Sequence, residues 1–150
     1  MERPHSRLLR CGRYSEPGRL YLLTTATLQR KPLFLNFHYA RLAIHQLRQA
    51  EEEKACHSLA WVIMPDHIHW LIELRTGTLS ALMRRFKSRS SRGLYEAGYR
   101  ERIWQPGYQD RALRRDDDVR RVARYIIANP IRAGLVRRVG AYSHWDAVWL

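Results

Sequence analysis

Two histidines separated by one residue, His67 and His69, are well suited to hold a divalent metal. They open the segment HIHWLIEL, whose alternation predicts a β-strand from His67 to Leu74. Because side chains two residues apart on a strand point the same way, both imidazoles face one side, and the other side is apolar: Ile68, Trp70, Ile72 and Leu74. Two neutral imidazoles leave metal positions open for phosphate oxygens and water. Considered alone, the pair is a weak signal that favours two half-exposed histidines that bind nothing. The preceding Asp66 is compatible with an outer partner of a ligand, but its position favours a turn residue.

A second reactive group lies on the predicted last helix. Arg121, Tyr125, Asn129 and Arg132 follow one another at spacings of four, four and three, beside an apolar stripe, and therefore share a face. This face combines a phenol nucleophile, a carboxamide oxygen that can bind a metal and two guanidiniums for phosphate charge. Tyr125 could instead be a packing tyrosine, and Asn129 could simply end the helix before Pro130.

Hydrophobic periodicity predicts the elements that must position these groups. The predicted strands are Arg19–Thr27, Ser58–Met64 and His67–Leu74, the last two joined by a tight hairpin at Pro65-Asp66. The predicted helices run from a cap at Asn36 to about Ala55, from Thr78 to Ala97, and from the acidic run 116–118 to Asn129. The order, with room for a short strand before the last helix, predicts an α+β ferredoxin-like sandwich. We therefore expect one domain over residues 1–150, with helices packed on a mostly antiparallel sheet and Tyr125 on the last long helix.

The charge balance predicts a polyanionic partner. Lys and Arg total 27 against 14 Asp and Glu, which gives a formal net charge of +13 and a pI near 10.7. Arg84, Lys87 and Arg89 on the helix Thr78–Ala97 are the main candidates for DNA-backbone contacts, joined by Arg121 and Arg132. Charge alone fits a ribosome-associated or merely soluble basic protein equally well.

Other compositional features exclude some protein classes. Cys11 and Cys56 are far apart and form no CxxC pattern, which argues against a disulfide framework or a structural zinc site. No apolar run has the length of a signal peptide or a membrane span. We expect a soluble cytoplasmic protein associated with the nucleoid.

Several segments together resemble one family, the single-tyrosine HUH transposases, and in particular their REP-associated branch. MPDHIHWLIEL at 64–74 and ARYIIANPIRAGLV at 123–136 carry the resemblance. GRYSEPGRLYLLTTAT at 12–27, RRFKSRSSRGL at 84–94 and WQPGYQDRALRRDDD at 104–118 look like further blocks of that branch. The resemblance therefore spans nearly the whole chain.

The resemblance implies a mechanism and a set of residue roles. His67 and His69 would be the paired histidines, Tyr125 the nucleophile, and Asn129 the third protein ligand of Mg²⁺ or Mn²⁺. The family forms a 5′-phosphotyrosyl bond and releases a 3′-hydroxyl, so strands can be rejoined without ATP. Substrates of the REP-associated branch are single-stranded DNA hairpins preceded by a GTAG-like tetranucleotide, and members of this branch look monomeric.

One residue departs from the branch pattern, and two other functions remain open. Arg111 stands where members of the branch often have histidine, which alters a proton-handling or DNA-contacting position. A regulator derived from a transposase would keep DNA binding without cleavage. An RNA-binding or ribosome-associated protein would require the histidine pair and the Tyr125–Asn129 pair to be coincidental.

Overall fold

In the part of the chain that the structure describes, five antiparallel strands form a single sheet. The computed structural model describes residues 15–114 and 117–149. The strands run in the spatial order β4-β1-β3-β2-β5. Their bounds are β1 Leu20–Ala26, β2 Cys56–Ile63, β3 His67–Leu74, β4 Gln109–Ala112 and β5 Trp145–Ala147.

Helices lie between and after these strands. Their bounds are α1 Phe37–Glu52, α2 Leu79–Glu96, α3 Val119–Ile127 and α4 Asn129–Arg132. Asn36, Thr78 and Asp118 cap the first three helices, each accepting a hydrogen bond from the backbone N–H three residues on. Among the helices of the described residues, none has the length and apolar character that a membrane crossing requires.

The predicted fold class is confirmed. The segments β1-α1-β2-β3-α2-β4 in the spatial order β4-β1-β3-β2 have ferredoxin-like topology. The predicted hairpin is also present, closed by a hydrogen bond from Met64 N–H to the carbonyl of His67 (2.8 Å). Strand β5, which sequence periodicity did not predict, extends the sheet beside β2.

Some predicted boundaries shift by a few residues. Strand β2 begins at Cys56, two residues before the predicted start at Ser58, and contains a bulge between Ser58 and Ala60. Helix α1 ends at Glu52 rather than near Ala55, because Lys54 adopts the left-handed conformation (φ 63°) and turns the chain toward β2. Of the acidic run before α3, Asp118 is the cap, whereas Asp116 lies outside the described residues.

The two faces of the sheet are covered differently. Helices α1 and α2 pack on the first face, where the larger cluster of buried side chains includes Trp70, Phe86 and Trp104. Helix α3 packs on the second face over β2, where the smaller cluster includes Val62, Leu71 and Ile126. Alternation along β3 therefore sends Trp70 to the first face and His67 and His69 to the second, beside Leu71.

The predicted last helix is interrupted at Ala128. The Ala128 N–H still donates to the Arg124 carbonyl (3.1 Å), but Pro130 has no N–H to donate to the carbonyl of Ile126, and α3 ends at Ile127. Ala128 itself keeps helical angles (φ −84°, ψ −2°), and the chain is helical again from Asn129. The prediction that Tyr125 and Asn129 share one uninterrupted helix was wrong, although only one residue separates α3 from α4.

Candidate active site

The two histidines lie side by side on the second face of the sheet. Their ring centroids are 4.9 Å apart, with the ring planes at 83° to each other. His67 pairs with Ala26 and His69 with Thr24, at the end of β1. Both imidazoles are half-buried, so the sheet positions them firmly while a small ligand can still reach them.

His69 is held in place by the neighbouring strand. Its Nδ1 lies 2.9 Å from the hydroxyl oxygen of Thr24, so a ring that donates from Nδ1 leaves Nε2 as an acceptor. Burial lowers the pKa of His69 to about 4, assisted by the positive charges of Arg132 and Arg30 and by His67. His69 is therefore neutral at physiological pH, the form in which an imidazole binds a metal.

His67 is held by a carboxylate. Its Nδ1 lies 2.7 Å from Oδ1 of Asp66, and Nε of Arg30 donates to Oδ2 of the same carboxylate at 2.9 Å. Burial by itself would raise the pKa of Asp66, but these hydrogen bonds outweigh it and lower the pKa overall. The charged carboxylate orients the His67 ring through Nδ1 and leaves Nε2 without a partner among the described residues. Asp66 thus supports a possible ligand as well as forming the turn.

The donor set fits a divalent metal only if another kind of ligand completes it. The described residues contain no group of three or more His, Cys, Asp or Glu side chains placed to hold a metal. The two histidines, each with Nδ1 engaged and Nε2 available, supply two neutral nitrogen donors. Oxygen ligands from a carboxamide, a phosphate or water would complete such a site.

Tyr125 lies on α3 with its side chain 64% exposed. The guanidinium carbon of Arg132 lies 3.7 Å from the centre of the Tyr125 ring, and Nη2 of Arg132 donates to the Tyr125 carbonyl at 2.6 Å. The charge of Arg132 also contributes to the lowered pKa of His69. Arg132 therefore contacts the tyrosine and acts electrostatically on one of the two histidines.

Asn129 is the first residue of α4 and is half-buried. Its backbone carbonyl accepts a hydrogen bond from Ala133 N–H (2.9 Å), whereas its carboxamide has no hydrogen bond to any described residue. The carboxamide oxygen is therefore available to a ligand. Asn129 and Tyr125 stay one turn apart because Ala128 is helical.

The structure separates the three cations predicted on α2. Arg84 is exposed and forms no ion pair or hydrogen bond with the described residues. Arg89 donates to both carboxylate oxygens of Glu53 (2.9 and 2.8 Å), which joins α2 to the end of α1. Lys87 donates to the carbonyls of Gln105 (2.9 Å) and Gly107, and burial lowers its pKa to about 8.

Arg121, on α3, and Arg111, on β4, have different surroundings. The Arg121 side chain is exposed and has no partner among the described residues. Arg111 on β4 pairs with Leu22 of β1, which places it on the second face, and its Nη2 lies 3.6 Å from Asp117. At the position where relatives were expected to have histidine, this chain therefore has an ion pair that joins β4 to the approach to α3.

Sequence reasoning missed two residues of the site. Thr24 is recognisable only once the register of β1 against β3 is known. Arg30 reaches Asp66 from a turn in which both Gln29 (φ 57°) and Arg30 (φ 55°) are left-handed, an unusual conformation for residues other than glycine. No sequence spacing predicts this contact across 36 positions.

Comparison with known proteins identifies the family. The family described as IS200-like transposases matches residues 20–129. A REP-associated tyrosine transposase of Escherichia coli K12 is 27% identical over 135 residues, covering 89% of this chain and 77% of the relative.

Solved structures agree with this assignment. The structure of a REP-associated tyrosine transposase bound to a REP hairpin matches with a TM-score of 0.75 and 25% identity, covering 88% of this chain and 78% of the other. A transposase structure from Deinococcus radiodurans R1 shares the fold, with a TM-score of 0.56 at 21% identity over 79% of this chain and 95% of the other. The chain therefore belongs to the IS200-like transposase family, and the resemblance to its REP-associated tyrosine transposases is confirmed.

Proposed function

We propose that this protein cleaves and rejoins single-stranded DNA at hairpins of the REP type, with Tyr125 as the nucleophile. The observation that carries the proposal is the placement of α3 and of the histidine pair on the same face of the sheet. Arg132 contacts the Tyr125 ring, and its positive charge helps to lower the pKa of His69.

Cleavage requires an exposed nucleophile beside bound phosphate. The phenolic oxygen of Tyr125 forms a bond to phosphorus while the bond from phosphorus to the 3′-oxygen breaks. The phenol proton passes to solvent, and the departing 3′-oxygen takes up a proton to become a hydroxyl. A phosphodiester replaces a phosphodiester, so attack by another 3′-hydroxyl reverses the step and joins strands.

We infer that His67, His69 and Asn129 hold a divalent metal, Mg²⁺ or Mn²⁺, at this site. When bound, such a metal polarises the phosphate and stabilises charge on the leaving oxygen. Asp66 and Thr24 orient the two imidazoles with Nε2 available. The free carboxamide of Asn129 supplies an oxygen of the kind that Mg²⁺ and Mn²⁺ prefer.

The proposed DNA partner fits the distribution of charge. The net charge of +13 favours a polyanion, and Arg84 and Arg121 are exposed cations without partners among the described residues. Arg132 lies where it can meet a phosphate beside Tyr125. Hairpin specificity is proposed from the similarity to a protein whose structure holds a REP hairpin.

We also propose that one chain forms the complete site. Ala123, Ile126 and Ile127 of α3 pack with Val62 of β2 and Leu71 of β3, on the face of their own sheet that carries the histidines. A monomer therefore has the nucleophile and both histidines on one face.

The test is formation of a covalent protein–DNA adduct. The protein is incubated with a single-stranded hairpin oligonucleotide and Mn²⁺, and the products are separated by denaturing electrophoresis. Wild-type protein should give an adduct, and Tyr125→Phe should give none while its hairpin affinity changes by less than about twofold, because only an exposed hydroxyl is removed.

Tyr142→Phe is the matched control, since its hydroxyl donates to the Ile63 carbonyl and has no role in the proposed reaction. This variant should still form the adduct. A wild-type protein that binds the hairpin but forms no adduct would instead identify a regulator without cleavage activity. An adduct that persists in Tyr125→Phe would assign the nucleophile to another residue.

A further inference from the structure

Lys87 is a half-buried ammonium that binds backbone oxygens rather than a carboxylate. Its Nζ donates to the carbonyls of Gln105 (2.9 Å) and Gly107, and it forms no ion pair with any Asp or Glu of the described residues. Burial lowers the pKa of Lys87 to about 8, because the protein keeps water away from much of the charge. Arg84, three residues earlier on the same helix, is exposed. The two cations therefore face different surroundings.

The two carbonyls belong to an irregular stretch of chain that leads into β4. Trp104 lies opposite Thr27 in an isolated antiparallel bridge, and Gln109 lies opposite Thr24 at the start of β4. Three residue steps on the β1 side therefore correspond to five steps on the β4 side. The two extra residues make a bulge in the edge strand, the 105–107 bulge.

The sequence of the bulge suits this geometry but leaves its carbonyls without donors. Pro106 has no N–H that could be left unpaired, and Gly107 adopts the left-handed region (φ 79°) that favours glycine. Residues in a bulge leave the strand ladder, so their carbonyls need donors from elsewhere. Lys87 supplies donors to two of them, whereas the Gln105 N–H still donates to the Ala26 carbonyl (3.0 Å). The bulge is thus held by α2 on one side and by β1 on the other.

The bulge ends beside the residue that holds His69. Gln109 pairs with Thr24, and Thr24 pairs on its other side with His69. The Thr24 hydroxyl oxygen lies 2.9 Å from Nδ1 of His69. Strand β4 has only four residues, and β1 is its one neighbour among the strands of the described residues. A short edge strand of this kind is weakly held by its ladder alone, so a change at the bulge would reach His69 through Thr24.

We propose that Lys87 is a positioning residue for strand cleavage, which binds the carbonyls of the 105–107 bulge and so keeps β4 in register beside Thr24 and His69. Lys87 acts from α2, the helix on the first face of the sheet, whereas the histidines lie on the second. In this role Lys87 binds the protein and not DNA. The inference rests on the proposed function for the part that His69 takes in cleavage.

The first measurements use the protein without DNA or metal. Lys87→Met removes the donors and keeps most of the side-chain length. It should speed hydrogen exchange of the Gln105 amide by roughly tenfold or more, because hydrogen bonds from a charged donor contribute enough for that factor. The ¹⁵N NMR signal of His69 Nδ1 should also shift, because the hydrogen bond with Thr24 is no longer held firmly. Lys87→Arg keeps charged N–H donors and should stay close to wild type in both measurements.

Gly107→Ala perturbs the bulge while Lys87 stays in place. An added Cβ would meet nothing within 4 Å, so the left-handed backbone is what disfavours alanine there. This variant should reproduce both the faster Gln105 exchange and the shifted His69 signal. Leu47→Val is the matched stability control, because this fully buried α1 side chain belongs to the core of the first face and not to the bulge. It should lower the free energy of unfolding without changing either signal.

Hairpin binding and cleavage separate positioning from a phosphate contact. In buffer with EDTA, fluorescence anisotropy should give the same salt slope for Lys87→Met as for wild type. A lysine that neutralises a phosphate would instead lower the slope by about 0.7, as Arg84→Gln should. In Mn²⁺, cleavage per folded molecule of Lys87→Met should fall roughly tenfold, in the range known for residues that support metal ligands, while hairpin affinity is unchanged.

The outcomes distinguish this inference from the cleavage proposal. An unchanged Gln105 exchange rate or an unchanged His69 signal in Lys87→Met would overturn the positioning role even if the Tyr125 adduct forms. A salt slope lowered as far as in Arg84→Gln would assign Lys87 to a DNA phosphate instead. If the wild-type protein forms no adduct, the cleavage proposal fails, and the exchange rate and the imidazole signal still decide whether Lys87 holds the bulge and His69.

Discussion

The two faces of the sheet use neighbouring residues of the same strand for opposite purposes. On the first face, Trp70 is 1% exposed and its indole N–H donates to the Ser58 hydroxyl. On the second face, His69 is only half-buried and keeps one ring nitrogen free of protein partners among the described residues. Two adjacent residues of β3 therefore differ: Trp70 is buried with its hydrogen bond made, whereas His69 has a ring nitrogen that can still bind a ligand.

The difference separates a closely packed face from a face that is open to ligands. The first face is covered by two long helices, and aromatic rings such as Phe86 and Trp104 fill it. The second face is covered by the nine-residue helix α3, which leaves the histidine end of β3 accessible. Substitutions on the two faces should consequently change different measured quantities.

The largest expected effect is the loss of cleavage in His69→Ala. Removal of a proposed ligand should reduce the rate by more than about 100-fold, since even partners outside the ligand shell contribute 10- to 100-fold. The free energy of unfolding should fall by no more than about 1 kcal/mol, because the His69 ring is only half-buried. A cleavage rate of His69→Ala that equals the wild-type rate across a Mn²⁺ titration would reject the ligand assignment. The same comparison tests His67 through His67→Ala.

Phe86→Ala should show the reverse pattern. Its ring is 3% exposed and packs against Trp70 (5.7 Å) and Trp104 (5.6 Å), so the cavity should cost about 3–5 kcal/mol of unfolding free energy. Phe86→Leu, a milder change, should cost about 1 kcal/mol and remain folded. Chemical denaturation measures both. A large fall in cleavage per folded molecule of Phe86→Leu would contradict the division between the faces.

Asn129 should give an intermediate effect that depends on metal concentration. Asn129→Ala should lower cleavage and Mn²⁺ affinity by roughly tenfold, with partial recovery of cleavage at high Mn²⁺, because one oxygen donor is lost. Asn129→Asp should keep or tighten Mn²⁺ binding through its added charge. Calorimetric Mn²⁺ titration and a melting curve on the same variants separate this role from helix termination, for which only the melting curve would change.

The smallest effects are expected on α2, where two arginines should behave differently. Arg84→Gln should weaken all DNA ligands by about twofold to fivefold and reduce the salt slope by about 0.7, with no change in stability. Arg89→Gln should instead lower the unfolding free energy slightly, because its exposed pair with Glu53 joins two helices. A similar loss of DNA affinity in both variants would show that the contact between Arg89 and Glu53 opens when DNA binds.

Most of the helices and strands that position the candidate site were predictable from sequence. The helix bounds of α2 agree with the predicted Thr78–Ala97 to within one residue at each end, because Thr78 caps the helix and strong periodicity follows. Strand β3 agrees at both ends, from His67 to Leu74. Period-two alternation also correctly placed both histidines opposite Trp70.

Weaker signals failed where tertiary contacts decide the structure. Strand β5 has only three residues and forms because the edge of β2 offers hydrogen-bonding partners, which no local pattern reveals. Helix α3 stops at Ile127 through the missing N–H of Pro130, yet Ala128 continues the helical path. The proline predicted the stop but not the short helix α4 that follows it.

The sequence by itself determined which residue types are available: two imidazoles on one side of a strand, a phenol and a carboxamide one turn apart, and an excess of cations. Periodicity and composition carry that information because they depend only on local geometry and charge. Only the tertiary structure decided their partners, giving Asp66 and Thr24 to the histidines, Arg132 to Tyr125 and Glu53 to Arg89. These contacts join segments through strand register and helix packing, which local spacing does not encode.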